Sequence, residues 1–118
     1  MFRQKKKEIP PLQQRCRANI IQEALKLIAV ANRVERDSLR SGDAESTDVV
    51  ELFGTKEVLD AQSMLTQRIV LSQSSELTLR EISTELIQPV LDRSVVGDIA
   101  QRALDHVLRS VEQKLAPE

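Results

Sequence analysis

The one conceivable thiol–imidazole pair in this chain is Cys16 with His106, the only cysteine and the only histidine among its 118 residues. A thiol beside an imidazole can act as nucleophile and base. These two fall in different helical segments, and no catalytic signature surrounds either, so no catalysis is expected from them. One cysteine excludes an intramolecular disulfide and a cysteine-based metal cluster, and one histidine excludes a two-histidine metal motif. Cys16 falls on an apolar stripe, where a thiol serves as a small buried hydrophobe. His106 falls on a polar helix face beside Arg102 and Arg109, the setting of a solvated side chain. Gly42, Gly54 and Gly97 are too scattered to form a phosphate cradle. Asp43, Glu45 and Asp48 lack the glycine and final glutamate of a calcium loop and read as a solvated loop. The expectation is therefore a non-enzyme with no cofactor and no metal.

Charge is the next source of chemistry. Net charge is −1, but it is unevenly placed. Residues 1–17 hold Arg3, Lys5, Lys6, Lys7, Arg15 and Arg17 against Glu8, while residues 35–60 are acidic in balance. Cations clustered this way can displace counterions from phosphates, meet an anionic membrane surface or contact an acidic protein. A sequence pI near 5.9 argues against a dedicated nucleic-acid module, which carries a basic face. The six cations are candidate anion or partner contacts, and nucleic-acid association through them is the second functional reading.

The composition then bounds the fold. Apolar residues make up 41% and charged residues 30%, a balance typical of a folded globular chain rather than a disordered one. Leu, Val and Ile dominate the apolar set, with only Phe2 and Phe53 as aromatics. Branched aliphatics suit helix-on-helix packing and do not supply the stacking platforms of single-strand nucleic-acid binders. The length matches one domain with one core. No apolar run reaches the length of a membrane span, no secretory leader is recognisable, and Phe2 argues against N-myristoylation. With a lone thiol, the expected location is the cytoplasm.

Four helical segments must position these groups. The clearest lies at 96–115, where Val96, Ala100, Ala103, Leu104, Val107, Leu108, Val111 and Leu115 make one apolar stripe opposite Arg102, Asp105, His106, Arg109, Glu112 and Gln113. Its spacing is similar to that of amphipathic anchoring helices which dock into helical dimers, as in A-kinase anchoring proteins. Almost any amphipathic helix satisfies that pattern, and packing in the chain's own core or in a homodimer seam is the stronger expectation. The first helix is expected from about Pro11 to Ser38, with a wide apolar arc of Leu12, Cys16, Ile20, Ile21, Ala24, Leu25, Leu27, Ile28, Ala31 and Val34. So wide an arc implies several neighbours and a central position.

Residues 41–47 read as a loop. A short helix over Val49–Phe53 is expected to end at Gly54, with Thr55 capping the next; the alternative is one helix from Asp48 to Gln73. The second long helix has Val58, Ala61, Leu65 and Ile69 on its seam, and Met64, Val70 and Leu71 off it, which predicts a second buried surface. Ser72–Ser75 is a break. Thr78 and Glu81 form a capping box for a helix with Leu79, Ile82, Leu86 and Val90 on one face. Pro89 should kink or stop it near Gln88. The last helix either restarts after Gly97, with Asp98 and Gln101 as its opening, or begins near Asp92 and runs through Gly97. A helix-turn-helix over 79–99 fits poorly, since Ile87 occupies the small-residue turn position, Pro89 follows, and Arg93 falls where a core residue belongs.

The expected architecture is an all-α antiparallel bundle of about four helices, with an extra short helix and an oligomeric state. Residues 1–9 form a flexible basic arm and residues 10–118 a single domain. The expected function is a non-enzymatic interaction module (adaptor, assembly factor or regulatory subunit) acting through aliphatic helix faces on a protein partner or a second copy. The candidate helix interface is Val96, Ala100, Ala103, Leu104, Val107, Leu108 and Val111.

Overall fold

The computed structural model describes residues 10–40 and 54–115. The basic residues Arg3, Lys5, Lys6 and Lys7, the acidic loop and the short helix expected at Val49–Phe53 lie outside these residues. Among the described residues the fold is all-helical, with four helical segments packed together and no strand. Among the same residues no helix is long and apolar enough to cross a membrane.

Helix α1 spans Pro11–Arg40. Pro11 stands at its first position, where a missing N–H costs nothing. Ile20, Ala24, Leu27, Ile28 and Ala31 are buried along its seam, and α1 touches every other helix, as its wide arc implies. The arc is not fully covered, however. Leu12 and Leu25 remain about half exposed, because α1 has neighbours on only part of its circumference.

Helix α2 spans Lys56–Leu71. Gly54 and Thr55 form the turn before it, and Thr55 takes the extended N-cap conformation without a side-chain cap bond. Val58, Leu65 and Ile69 are buried as the seam predicts. Gln62 is buried with them, and its amide nitrogen has no hydrogen-bond partner. Met64, Val70 and Leu71 do not form a second buried surface. All three are exposed, Leu71 by 64%, because none of the described helices packs over them.

The expected break is a 3-10 turn at Ser72–Ser75, closed by hydroxyl bonds from Ser72 to the Ile69 carbonyl (2.6 Å) and from Ser75 to the Ser72 carbonyl (2.6 Å). Glu76 follows in the left-handed conformation (φ 67°), a strained setting for a residue with a Cβ. Leu77 then anchors the corner in the core.

Helix α3, residues 79–93, comprises α-helical turns at Leu79–Glu81 and Gln88–Arg93 around a π-helical segment at Ile82–Ile87. The capping box forms: the Glu81 N–H donates to Thr78 Oγ1 (3.1 Å) and the Thr78 N–H to Glu81 Oε1 (2.9 Å). Pro89 does not stop the helix. The turn ahead of it widens, the Gln88 N–H bonds the Ser83 carbonyl, and the helix continues to Arg93. Widening draws the carbonyls away from the proline ring, which would clash in a regular α-turn. It also shifts the phase by one residue, so Ile87 joins Ile82, Leu86 and Val90 in the core.

Helix α4 spans Asp98–Leu115 and begins after Gly97. Asp98 is its first residue rather than its cap, since the Gln101 N–H bonds the Gly97 carbonyl (3.0 Å). Ile99, Ala100, Ala103, Leu104, Val107 and Val111 are buried against α1 and α2 in one continuous core. Ile99, absent from the expected stripe, replaces Val96, which precedes the helix and is half-buried.

Candidate functional site

Glycine at the start of α4 offers no side chain to cap the free N–H groups of the first turn. Helix α1 supplies the cap instead. Asn32 Oδ1 accepts from the Gly97 N–H (3.0 Å), and Asn32 Nδ2 donates to the Val95 carbonyl (2.8 Å). Glu35 Oε1 accepts from the Ile99 N–H (3.4 Å). A Cβ on Gly97 would lie 2.5 Å from Glu35 Oε1, so any larger residue there would make the Glu35 carboxylate shift from its place in the clasp. Its polar groups serve each other, which makes it a structural joint rather than a site for a ligand.

Polar contacts also register α1 on its neighbours. Arg33 pairs with Glu57 (3.6 Å), Glu23 with Arg68 (3.7 Å), Gln13 Nε2 donates to the Ser75 carbonyl (3.0 Å), and Arg17 pairs with Glu85 (2.8 Å). Of the six candidate cations, Arg15 and Arg17 are described. Arg15 is exposed, whereas the Arg17 side chain is only 16% exposed and is engaged by Glu85.

Cys16 packs at the edge of the core as a half-buried free thiol, and His106 lies on the exposed side of α4. Among the described residues no group of three or more potential ligands could hold a metal. Shallow depressions mark the described surface. One of about 330 Å³ lies between α1 and α2, lined by Glu23, Lys26, Val30, Asp60, Ala61 and Met64 among others. A second of about 430 Å³ is lined by Thr66, Gln67, Val70, Leu71 and Lys114, and a third of about 360 Å³ lies between α3 and α4 around Leu79 and Leu108. Neither Cys16 nor His106 lines any of the three.

The candidate interface residues on the last helix are core residues of this chain. Ala100, Ala103, Leu104, Val107 and Val111 are buried, and Val96 and Leu108 pack half-buried against them. The aliphatic surface left to solvent is a different set: Leu12, Leu25, Leu59, Met64, Val70, Leu71, Val95 and Leu115. Four of these eight stand on the 16 residues of α2. The signal in the sequence was Met64, Val70 and Leu71 lying off the seam; Leu59 was missed because the residues one helical turn away from it, Thr55, Lys56, Gln62 and Ser63, are all polar. No protein-family model, curated protein or solved structure matches this chain.

Proposed function

We propose that this protein is a non-enzymatic interaction module, an adaptor, assembly factor or regulatory subunit that offers an aliphatic helix face to another chain. The observation that carries this reading is the concentration of exposed Leu, Met and Val on α2, whose core face is already occupied. Isolated surface aliphatics are ordinary, but several gathered on one helix mark a contact surface. The scaffold in this reading is an antiparallel bundle. That order is supported by the pairings of Arg33 with Glu57, Glu23 with Arg68 and Gln13 with Ser75, in which rising numbers on one helix meet falling numbers on the next. A reducing compartment such as the cytoplasm suits the unpaired thiol of Cys16.

Light scattering across a dilution series, with affinity capture of the tagged full chain from native lysate, tests the proposal. Self-association or a stoichiometric partner is expected. A monomer at every concentration with nothing co-purifying would refute it.

A further inference from the structure

We infer that the end of the bundle where α1 begins and α2 and α4 finish docks on an anionic lipid surface. This inference goes beyond the interaction reading above and does not depend on it. Leu12 is the second residue of α1, Val70 and Leu71 close α2, and Leu115 closes α4. The bond from Gln13 to the Ser75 carbonyl sets the start of α1 beside the turn that follows α2. Lys114 lines one depression with Val70 and Leu71, which sets the end of α4 beside the end of α2. Leu12, Val70, Leu71 and Leu115 are half of the exposed large aliphatics among the described residues, and they come from three helices that meet at one end.

Charge selects the partner. Arg15 and Lys114 are exposed at this end, and neither is ion-paired with a described residue. Arg17 does not count with them, because Glu85 engages it. Arg3, Lys5, Lys6 and Lys7 stand just before Pro10 in the sequence and are therefore tethered to the same end. Against these six cations stand the exposed Glu76 and Glu112, with Glu8 and Glu118 tethered beside them. The far end has the opposite balance. Helix α1, 30 residues and so about 45 Å long, leads there into residues 35–60, which hold eight acidic residues against Arg36, Arg40 and Lys56. An anionic surface attracts one end of this molecule and repels the other, which fixes the approach as end-on.

The aliphatics separate lipid from other anions. A nucleic-acid duplex would take the cations and leave the four Leu and Val side chains in water. A folded acidic protein would have to match the shape of three helix ends. Lipid needs no such match: hydrocarbon accepts aliphatic side chains, and anionic headgroups meet the cations around them. Arg15 and Lys114 can lay their stems along the apolar surface and keep their charges at the headgroups.

The test is sedimentation of the full chain with vesicles of phosphatidylcholine, alone or mixed with phosphatidylserine. Binding is expected to the mixed vesicles only and should fall steeply with added salt. Lys114→Gln should weaken it about fivefold, and replacing Lys5, Lys6 and Lys7 together by Gln should weaken it roughly a hundredfold. Leu12→Asp and Leu71→Asp, both at exposed positions, should each weaken it at least tenfold while helical circular dichroism is kept. Leu59→Asp, near the start of α2, should leave it unchanged. On a Cys16→Ser background, an environment-sensitive fluorophore at Leu115→Cys should shift to the blue on mixed vesicles, and one at Leu59→Cys should not.

Absence of binding to the mixed vesicles overturns the inference and leaves the interaction reading standing, since that reading is decided by self-association and affinity capture. Equal binding to neutral vesicles overturns it, as does binding that Leu12→Asp and Leu71→Asp leave unchanged. A blue shift at Leu59→Cys without one at Leu115→Cys would overturn the end-on approach. Equally tight, salt-sensitive binding to duplex DNA or polyglutamate would make this end a general contact for anions and overturn the choice of lipid.

Discussion

Asn32 connects the end of one helix to the start of another, and its removal gives a calculable loss. In Asn32→Ala two hydrogen bonds vanish together. The bond to the Val95 carbonyl is solvent-exposed, so water recovers most of it and the net loss is about 0.5 kcal/mol. The Gly97 N–H is partly buried at the helix start, and leaving it without an acceptor costs about 1–1.5 kcal/mol. The sum, about 1.5–2 kcal/mol, corresponds to a fall in melting temperature of roughly 5–10 °C for a domain of this length. Asn32→Asp keeps the acceptor and adds a negative charge at the positive end of α4, but loses the donor and sits near Glu35. It should fall between wild type and Asn32→Ala. Urea unfolding of the three proteins, followed by circular dichroism at one protein concentration, gives the comparison. If Asn32→Ala unfolds within about 0.3 kcal/mol of wild type, the N-terminus of α4 does not depend on α1 for its cap. If Asn32→Asp loses as much as Asn32→Ala, the acceptor at Gly97 is not the larger contribution.

Three further outcomes are expected. Val107→Asp places a charge at a fully buried position and should cost several kcal/mol, seen as loss of cooperative melting; an unchanged melting temperature would show that the stripe of α4 is not core. Gln62→Met keeps the side-chain length and removes a buried amide nitrogen with no partner, so it should stabilise by about 1 kcal/mol in urea titration; a loss of similar size would mean that the amide is satisfied. Glu76→Gly relieves a left-handed residue at the turn after α2. Its net gain should be about 0.5–1 kcal/mol once the added freedom of the unfolded chain is subtracted, and destabilisation in the same titration would show that the Glu76 side chain holds the corner.

What the sequence determined by itself was local. Val58, Leu65 and Ile69 on α2, and Ala100, Ala103, Leu104, Val107 and Val111 on α4, are readable as core because helical periodicity repeats within a few residues. The Thr78–Glu81 capping box is readable for the same reason: its partners are three residues apart. The end of α3 was not, because Pro89 permits either a stop or a widened turn, and packing of Ile87 against the core accompanies the second. The joint of Asn32 and Glu35 with Gly97 and Ile99 links positions more than 60 apart, so no local pattern announces it. The same limit governs the candidate surface. Whether an aliphatic residue at the margin of a stripe is covered depends on how many neighbours its helix acquires. Leu108 found shelter between helices, while Leu25, Leu59 and Leu71 did not. Periodicity decided which residues seek burial, and the tertiary arrangement, by bringing described neighbours to only part of each helix, decided which stayed exposed.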